Sequence, residues 1–107
     1  MNSFSFFVAH HMSTIEGGMV CTDSDEYAEM LRIVRANGWD RNLTSEQQSK
    51  WRKRYNIESE FYAKYTFYDL GYNFRPTEIT GFLGRVQLKF LNENIQKRAE
   101  NYLKLEE

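Results

Sequence analysis

The chain has 107 residues, a net charge of −1, a single cysteine and 41% hydrophobic residues, with aromatics alone at 16%. This length predicts one domain, the apolar mass excludes a disordered chain, and the near-neutral charge removes any global electrostatic case for nucleic acid or acidic lipid. The lone Cys21 excludes an internal disulfide framework, no stretch reaches the ~20 apolar residues of a membrane span, and the N-terminus lacks a signal peptide's basic region, so a soluble cytoplasmic protein is expected.

Phe4 to Ala9 is apolar and unbroken, which predicts a buried strand. A loop follows from His10 to about Ile15, Gly17-Gly18 permits a tight turn, and Met19 to Thr22 reads as a second short strand. Together they predict a β-hairpin-like pair around a loop rich in functional groups. Asp23-Ser24-Asp25-Glu26 is a helix start in which Asp23 can cap and the acidic residues suit the positive end of the dipole. Tyr27, Met30, Leu31 and Val34 form a helical stripe, and Asn37-Gly38 stops it, which predicts a helix over Ser24–Ala36.

Trp39 to Lys64 is less regular. Thr44 and Gln47 match a capping box for a short polar helix to about Tyr55. The basic run Lys50, Arg52, Lys53 and Arg54 on that helix reads as a solvated face, with a hold on a phosphate as the minority reading. Tyr65 to Tyr68 is an aromatic strand or extended segment, and Asp69 to Arg75 a turn-rich loop with Gly71 and Asn73 at special dihedrals. Pro76 pins the chain before a helical pattern that runs from Thr77 through Ile79, Phe82, Leu83 and Val86, then Leu88, Leu91, Ile95, Ala99 and Tyr102. Gly81 and Gly84 share a face and permit close packing, so a long helix, or two with a bend near Gly84, is expected. The class is α/β. So long an apolar helix with so little upstream to cover it implies further protein beyond this chain.

Ser5 to Gly18, SFFVAHHMSTIEGG, concentrates the chemistry. A histidine on an apolar segment is most often structural. Here two are adjacent, and if strand geometry persists their side chains diverge, so His10 and His11 cannot share one metal. Cys21 alone adds no further zinc ligand, and no metal site is expected. The nucleophile-elbow, dinucleotide-binding and Walker patterns are absent. Residue spacing alone leaves a catalytic histidine and a structural one both open.

Two blocks decide further. Ser5-Phe6, Ala9-His10-His11 and Glu16-Gly17-Gly18 come first; Gly71-Tyr72-Asn73-Phe74-Arg75, Thr77-Glu78-Ile79, Gly84, Gln87-Leu88 and Arg98 follow. In this order they resemble the active-site segment and the GYNxR loop of the DegT/DnrJ/EryC1/StrS family of fold-type I, pyridoxal-phosphate-dependent sugar aminotransferases. The resemblance spans essentially the whole chain but only part of a family member. It implies a fragment of the large domain, made of a short β-hairpin, a helix, an irregular segment with a short helix and a long C-terminal helix pair. The family's N-terminal half, with its pyridine-nitrogen aspartate, and its C-terminal small domain are then missing.

The resemblance also places His10 where the family has its Schiff-base lysine. Histidine supplies no such amine. A His-bearing branch of the family, the 3-dehydratases of nucleotide-linked 4-keto-6-deoxyhexoses in deoxysugar and lipopolysaccharide biosynthesis, holds pyridoxamine 5'-phosphate without a covalent bond. By this likeness His10 is the general base, Ser5 a ligand of the cofactor phosphate, Asn73 a residue reaching the neighbouring subunit's phosphate site across a homodimer, and Arg75 a neighbour of that site. His11 reads as structural. Ile15 stands where the family commonly has glycine, which puts that turn in question. Trp39 to Leu43 contains no cysteine, which disfavours the family's iron–sulfur branch. A pyridoxal 5'-phosphate aminotransferase of the same family is one alternative, and an inactive remnant or interaction module is another.

Overall fold

The computed structural model describes residues 1–106 and divides into two compact units, Met1–Val20 with Pro76–Glu107, and Cys21–Arg75.

The first unit carries the strands β1 (Asn2–Ser5) and β2 (Gly18–Cys21, whose last residue falls at the unit boundary), which pair into a two-stranded sheet. The expected hairpin is present, but its first strand lies earlier than Phe4–Ala9 and is exposed rather than buried. The strand ends at Ser5 because the Ser5 hydroxyl accepts the Phe7 N–H and a turn closes from the Phe7 carbonyl to the His10 N–H. Two helices follow, α4 (Glu78–Leu88) and α5 (Leu91–Glu106). Thr77 caps α4 in a reciprocal box with Thr80, directly after Pro76. The bend expected near Gly84 falls instead at Lys89-Phe90, where the Phe90 N–H reaches back only to Gln87 and the Phe90 carbonyl starts α5 by accepting from Asn94. Gly84 stays inside α4, and a Cβ there would lie 3.3 Å from the Thr14 methyl carbon. A Cβ at Gly81 would meet nothing, so the close packing expected of both glycines occurs at one.

The second unit holds α1 (Asp25–Val34), a 3-10 turn at Asp40–Asn42, α2 (Ser45–Arg54) and the short α3 (Glu60–Ala63). Ser24, not Asp23, caps α1, its hydroxyl accepting from the Tyr27 N–H at 3.3 Å. The helix stops at Val34 rather than Ala36 because Ala36 is drawn into a bridge with Asn73. Asn37 and Gly38 then both take positive φ, 61° and 83°, and the Gly38 N–H returns to the Ile33 carbonyl. The Thr44–Gln47 capping box of α2 is as expected. Of the segment expected as a strand or extended, Tyr65 closes a turn on the Tyr62 carbonyl and Thr66 to Tyr68 join no strand. The short α3, started by the Ser59 hydroxyl, has no counterpart in the sequence reading.

The buried apolar cluster lies in this unit: Ile33, Leu43, Trp51 and Tyr68, with Ile57 packed against it. Two buried carboxylates are tied into it. Glu29 accepts from the Trp51 indole N–H at 2.8 Å and pairs with Lys50 at 3.2 Å. Asp40 pairs with Arg52 at 2.9 Å and accepts from the Tyr68 hydroxyl at 3.3 Å. The basic run of α2 is therefore not a purely solvated face. Arg52 bridges a buried aspartate, Lys50 answers a buried glutamate, and Arg54 lies over the Trp51 ring.

Candidate active site

The hairpin loop from Phe6 to Gly17 is built from backbone contacts. Phe6 donates its N–H to the Gly17 carbonyl and accepts the Thr14 N–H on its own carbonyl, both at 2.9 Å, which fixes the mouth of the loop. Thr14 is buried and its hydroxyl donates to the Glu16 carbonyl at 2.7 Å. Within the loop, the His10 N–H meets the Phe7 carbonyl at 3.2 Å, and Ala9 has φ +78°. That is the third position of a four-residue turn, where a positive φ normally selects glycine or asparagine. Ile15 also sits at positive φ, +74°. The backbone there is left-handed despite a β-branched side chain.

His10 follows Ala9 directly, is exposed, and has its ring edge-on to Phe7 at 6.4 Å. Both histidines lie in the turn and not on a strand, so strand alternation does not govern where they point. This corrects the geometric reason given against a shared metal. Among the described residues, no group of three or more His, Cys, Asp or Glu comes together.

Helix α5 holds the loop at two points. Asn94 donates its amide N–H to the His11 carbonyl at 3.3 Å, and Arg98 donates to the Ala9 carbonyl at 3.1 Å. Sequence reasoning named Ala9 and Arg98 only as matching positions and passed over Asn94. The available signal was the four-residue spacing of Asn94 and Arg98, two polar groups on one face of a helix.

Ser5 and His10 thus share one hairpin, while Asn73 and Arg75 belong to the other unit. There, Asn73 lies in a segment laid along the tail of α1: Tyr72 bonds Val34, Asn73 bridges Ala36, and Phe74 bonds Arg35. The expected special dihedrals at Gly71 and Asn73 are not found, since neither has positive φ. Gly71 is required for space instead, as a Cβ there would lie 2.1 Å from the Gly38 nitrogen. The Tyr72 and Phe74 rings stack on one side of this segment, 5.0 Å apart, and Asn73 and Arg75 are exposed.

The loop's groups can be tested against a pyridoxal-type cofactor. A covalently held cofactor needs an amine, and Ser5 to Gly18 contains no lysine; the first in the chain is Lys50 on α2. The exposed Ser5 hydroxyl accepts from the Phe7 N–H, and a serine hydroxyl can also donate to an oxygen acceptor. The loop fits a cofactor bound without a covalent link.

The model of the DegT/DnrJ/EryC1/StrS aminotransferase family matches residues 1–107. The chain belongs to this family. Among its DegT/DnrJ/EryC1/StrS relatives, the GDP-4-keto-6-deoxy-D-mannose 3-dehydratases of Escherichia coli O55:H7 and Yersinia pseudotuberculosis are 39% and 40% identical over 101 residues, covering 94% of this chain and 25% of each relative. GDP-perosamine synthase of Caulobacter vibrioides is 30% identical over 96 residues. A solved structure of E. coli GDP-4-keto-6-deoxy-D-mannose-3-dehydratase with bound hydrated pyridoxal phosphate superposes with a TM-score of 0.75 at 37% identity, over 94% of this chain and 25% of that one. The elements described above are therefore those of a fragment of the pyridoxal-phosphate-dependent transferase fold, and the chain spans about a quarter of the length of these relatives.

Proposed function

We propose that this chain is part of the large domain of a cytoplasmic, homodimeric, pyridoxamine-phosphate-dependent 3-dehydratase acting on a nucleotide-linked 4-keto-6-deoxyhexose. The observation that carries this is the histidine at the centre of a hairpin loop without a lysine. The likeness to two GDP-sugar 3-dehydratases at about 40% identity supports a GDP-linked substrate. Among the described residues no helix is long and apolar enough to cross a membrane.

When bound, the cofactor supplies an amine for the sugar ketone and a ring that accepts electrons. His10 then serves as the general base, since an imidazole exchanges a proton near neutral pH. Ser5 donates its hydroxyl proton to a phosphate oxygen. Asn73 donates its amide to the phosphate site of a second subunit, with Arg75 beside it as the positive charge. The transaminase reading rests on relatives of lower identity, such as GDP-perosamine synthase, and lacks the amine that reaction needs.

The test is a chimaera in which residues 1–107 replace the matching segment of the E. coli dehydratase. Supplied with pyridoxamine phosphate and GDP-4-keto-6-deoxymannose, it should form the 3-deoxy product, and His10→Asn should lower kcat by roughly 100-fold or more. His10→Lys should not restore dehydration. Full turnover by the His10→Asn chimaera would refute the assignment.

A further inference from the structure

The two carbonyls on either side of His10 are both held by one helix. Arg98 reaches the Ala9 carbonyl at 3.1 Å and Asn94 the His11 carbonyl at 3.3 Å. The donors stand four residues apart on α5, so they rise from one face, one turn from each other. The residue they hold most directly is Ala9, whose φ of +78° places a non-glycine side chain in the left-handed region. Such a conformation persists only where the surroundings impose it. The turn's own closure is a single exposed bond, from the His10 N–H to the Phe7 carbonyl at 3.2 Å. The unit offers little else to impose the shape, since its one buried residue among the described residues is Thr14.

We infer that Asn94 and Arg98 are positioning residues, a two-point clasp that keeps Ala9 left-handed and so fixes where the His10 imidazole is presented. The catalytic consequence rests on the reading of His10 as the base; the conformational part does not. Arg98 carries the larger share, because its donor is charged and its acceptor is the carbonyl of the strained residue. Asn94 limits rotation of the peptide that follows His11. Neither side chain touches the reacting atoms in this role. What they supply is a fixed direction for the base, on which proton transfer depends steeply.

The clasp is tested by a rescue. In the 107-residue chain, solvent exchange of the His10 amide reports occupancy of the turn. Arg98→Met should speed that exchange about tenfold, as expected for loss of one charge-assisted hydrogen bond, and Asn94→Ala by a smaller factor. Ala9→Gly, added to Arg98→Met, should return exchange to within about threefold of the parent, because glycine adopts positive φ without strain. A general loosening of α5 would not be rescued by a glycine outside the helix. Unchanged exchange in Arg98→Met, or loss that Ala9→Gly leaves in place, would overturn the proposal. In the chimaera, Arg98→Met should lower kcat about tenfold with KM for the sugar unchanged, and Ala9→Gly should recover part of it. If the amide responds as stated but His10→Asn leaves turnover intact, the clasp stands and the dehydratase reading falls. If the amide does not respond while His10→Asn abolishes turnover, the reverse holds.

Discussion

At the scale of single residues, Glu29 is a carboxylate that the fold keeps ionised. It is buried at 5% exposure, and its pKa is held below the usual carboxylate value, first by the Trp51 indole N–H and then, against the cost of burial, by Lys50. A depressed folded pKa stabilises the protein above the unfolded value and ceases to do so as pH falls through the folded one. The contribution of Glu29 is thus complete above the ordinary carboxylate pKa and is lost as pH falls through the lower folded value. Glu29→Gln should cost about 1–3 kcal/mol at pH 7, because it weakens a buried indole bond and leaves Lys50 without its counter-charge. Urea unfolding at pH 7 and pH 3 should show the mutant's deficit shrinking at the lower pH. Lys50, with its side chain 65% exposed, adds less than the indole.

Ile15 is the opposite case, a residue that the backbone tolerates. It sits at φ +74° with its side chain 62% exposed, so it loses little packing if removed. Ile15→Gly should relieve the strain and stabilise the hairpin by about 1 kcal/mol, net of the added freedom of the unfolded chain. Thermal unfolding followed by circular dichroism should show Tm rising by a few degrees. A fall in Tm would mean that the side chain packs in solution as it does not in this structure.

At the scale of elements, what could be read locally was read well. The Thr44–Gln47 box fixed the start of α2 because both halves of the cap lie within four residues. The hairpin was legible from its two apolar runs and the Gly-Gly between them. The loop residues Ser5 and His10 were named from a motif, and the structure puts both on that hairpin. What escaped depended on distant partners. Strand β1 ended early because the Ser5 side chain and the Phe7–His10 turn captured the backbone. Helix α1 lost its last turn to the Ala36–Asn73 bridge, made with a residue 37 positions on. The Asn94 and Arg98 contacts span more than 80 residues, and no local pattern announces them.

Gly71 shows the same limit. Its need for glycine comes from backbone 33 residues earlier, since a Cβ would lie 2.1 Å from the Gly38 nitrogen and 2.3 Å from the Asn37 carbonyl carbon. Gly71→Ala must therefore break the pairing of the 71–74 segment with the tail of α1. It should cost more than about 2 kcal/mol, seen as a lower urea midpoint. Gly81→Ala, in open space inside α4, should instead stabilise by about 0.5–1 kcal/mol. Equal effects at the two positions would contradict this account.

At the scale of the whole molecule, the apolar core and the candidate catalytic loop belong to different units. Ile33, Leu43, Trp51 and Tyr68 pack in the unit that holds Asn73 and Arg75, while Ser5 and His10 sit in a unit stabilised by backbone bonds, caps and the α5 contacts. Large apolar side chains on α4 and α5 stay exposed, among them Ile79 at 70% and Phe82 at 66%. A chain that spans 25% of its relatives has this surface to offer to the remainder of such a fold.

The role proposed for His10 is to move a proton rather than to form a covalent bond. It is tested most directly by loading the chimaera with pyridoxamine phosphate deuterated at its methylene carbon, adding the GDP-4-keto-6-deoxy sugar, and following loss of deuterium to solvent by mass spectrometry. The account predicts loss in the parent protein, and loss slowed by roughly 100-fold or more in His10→Asn. Equal rates of loss from the two proteins would contradict it.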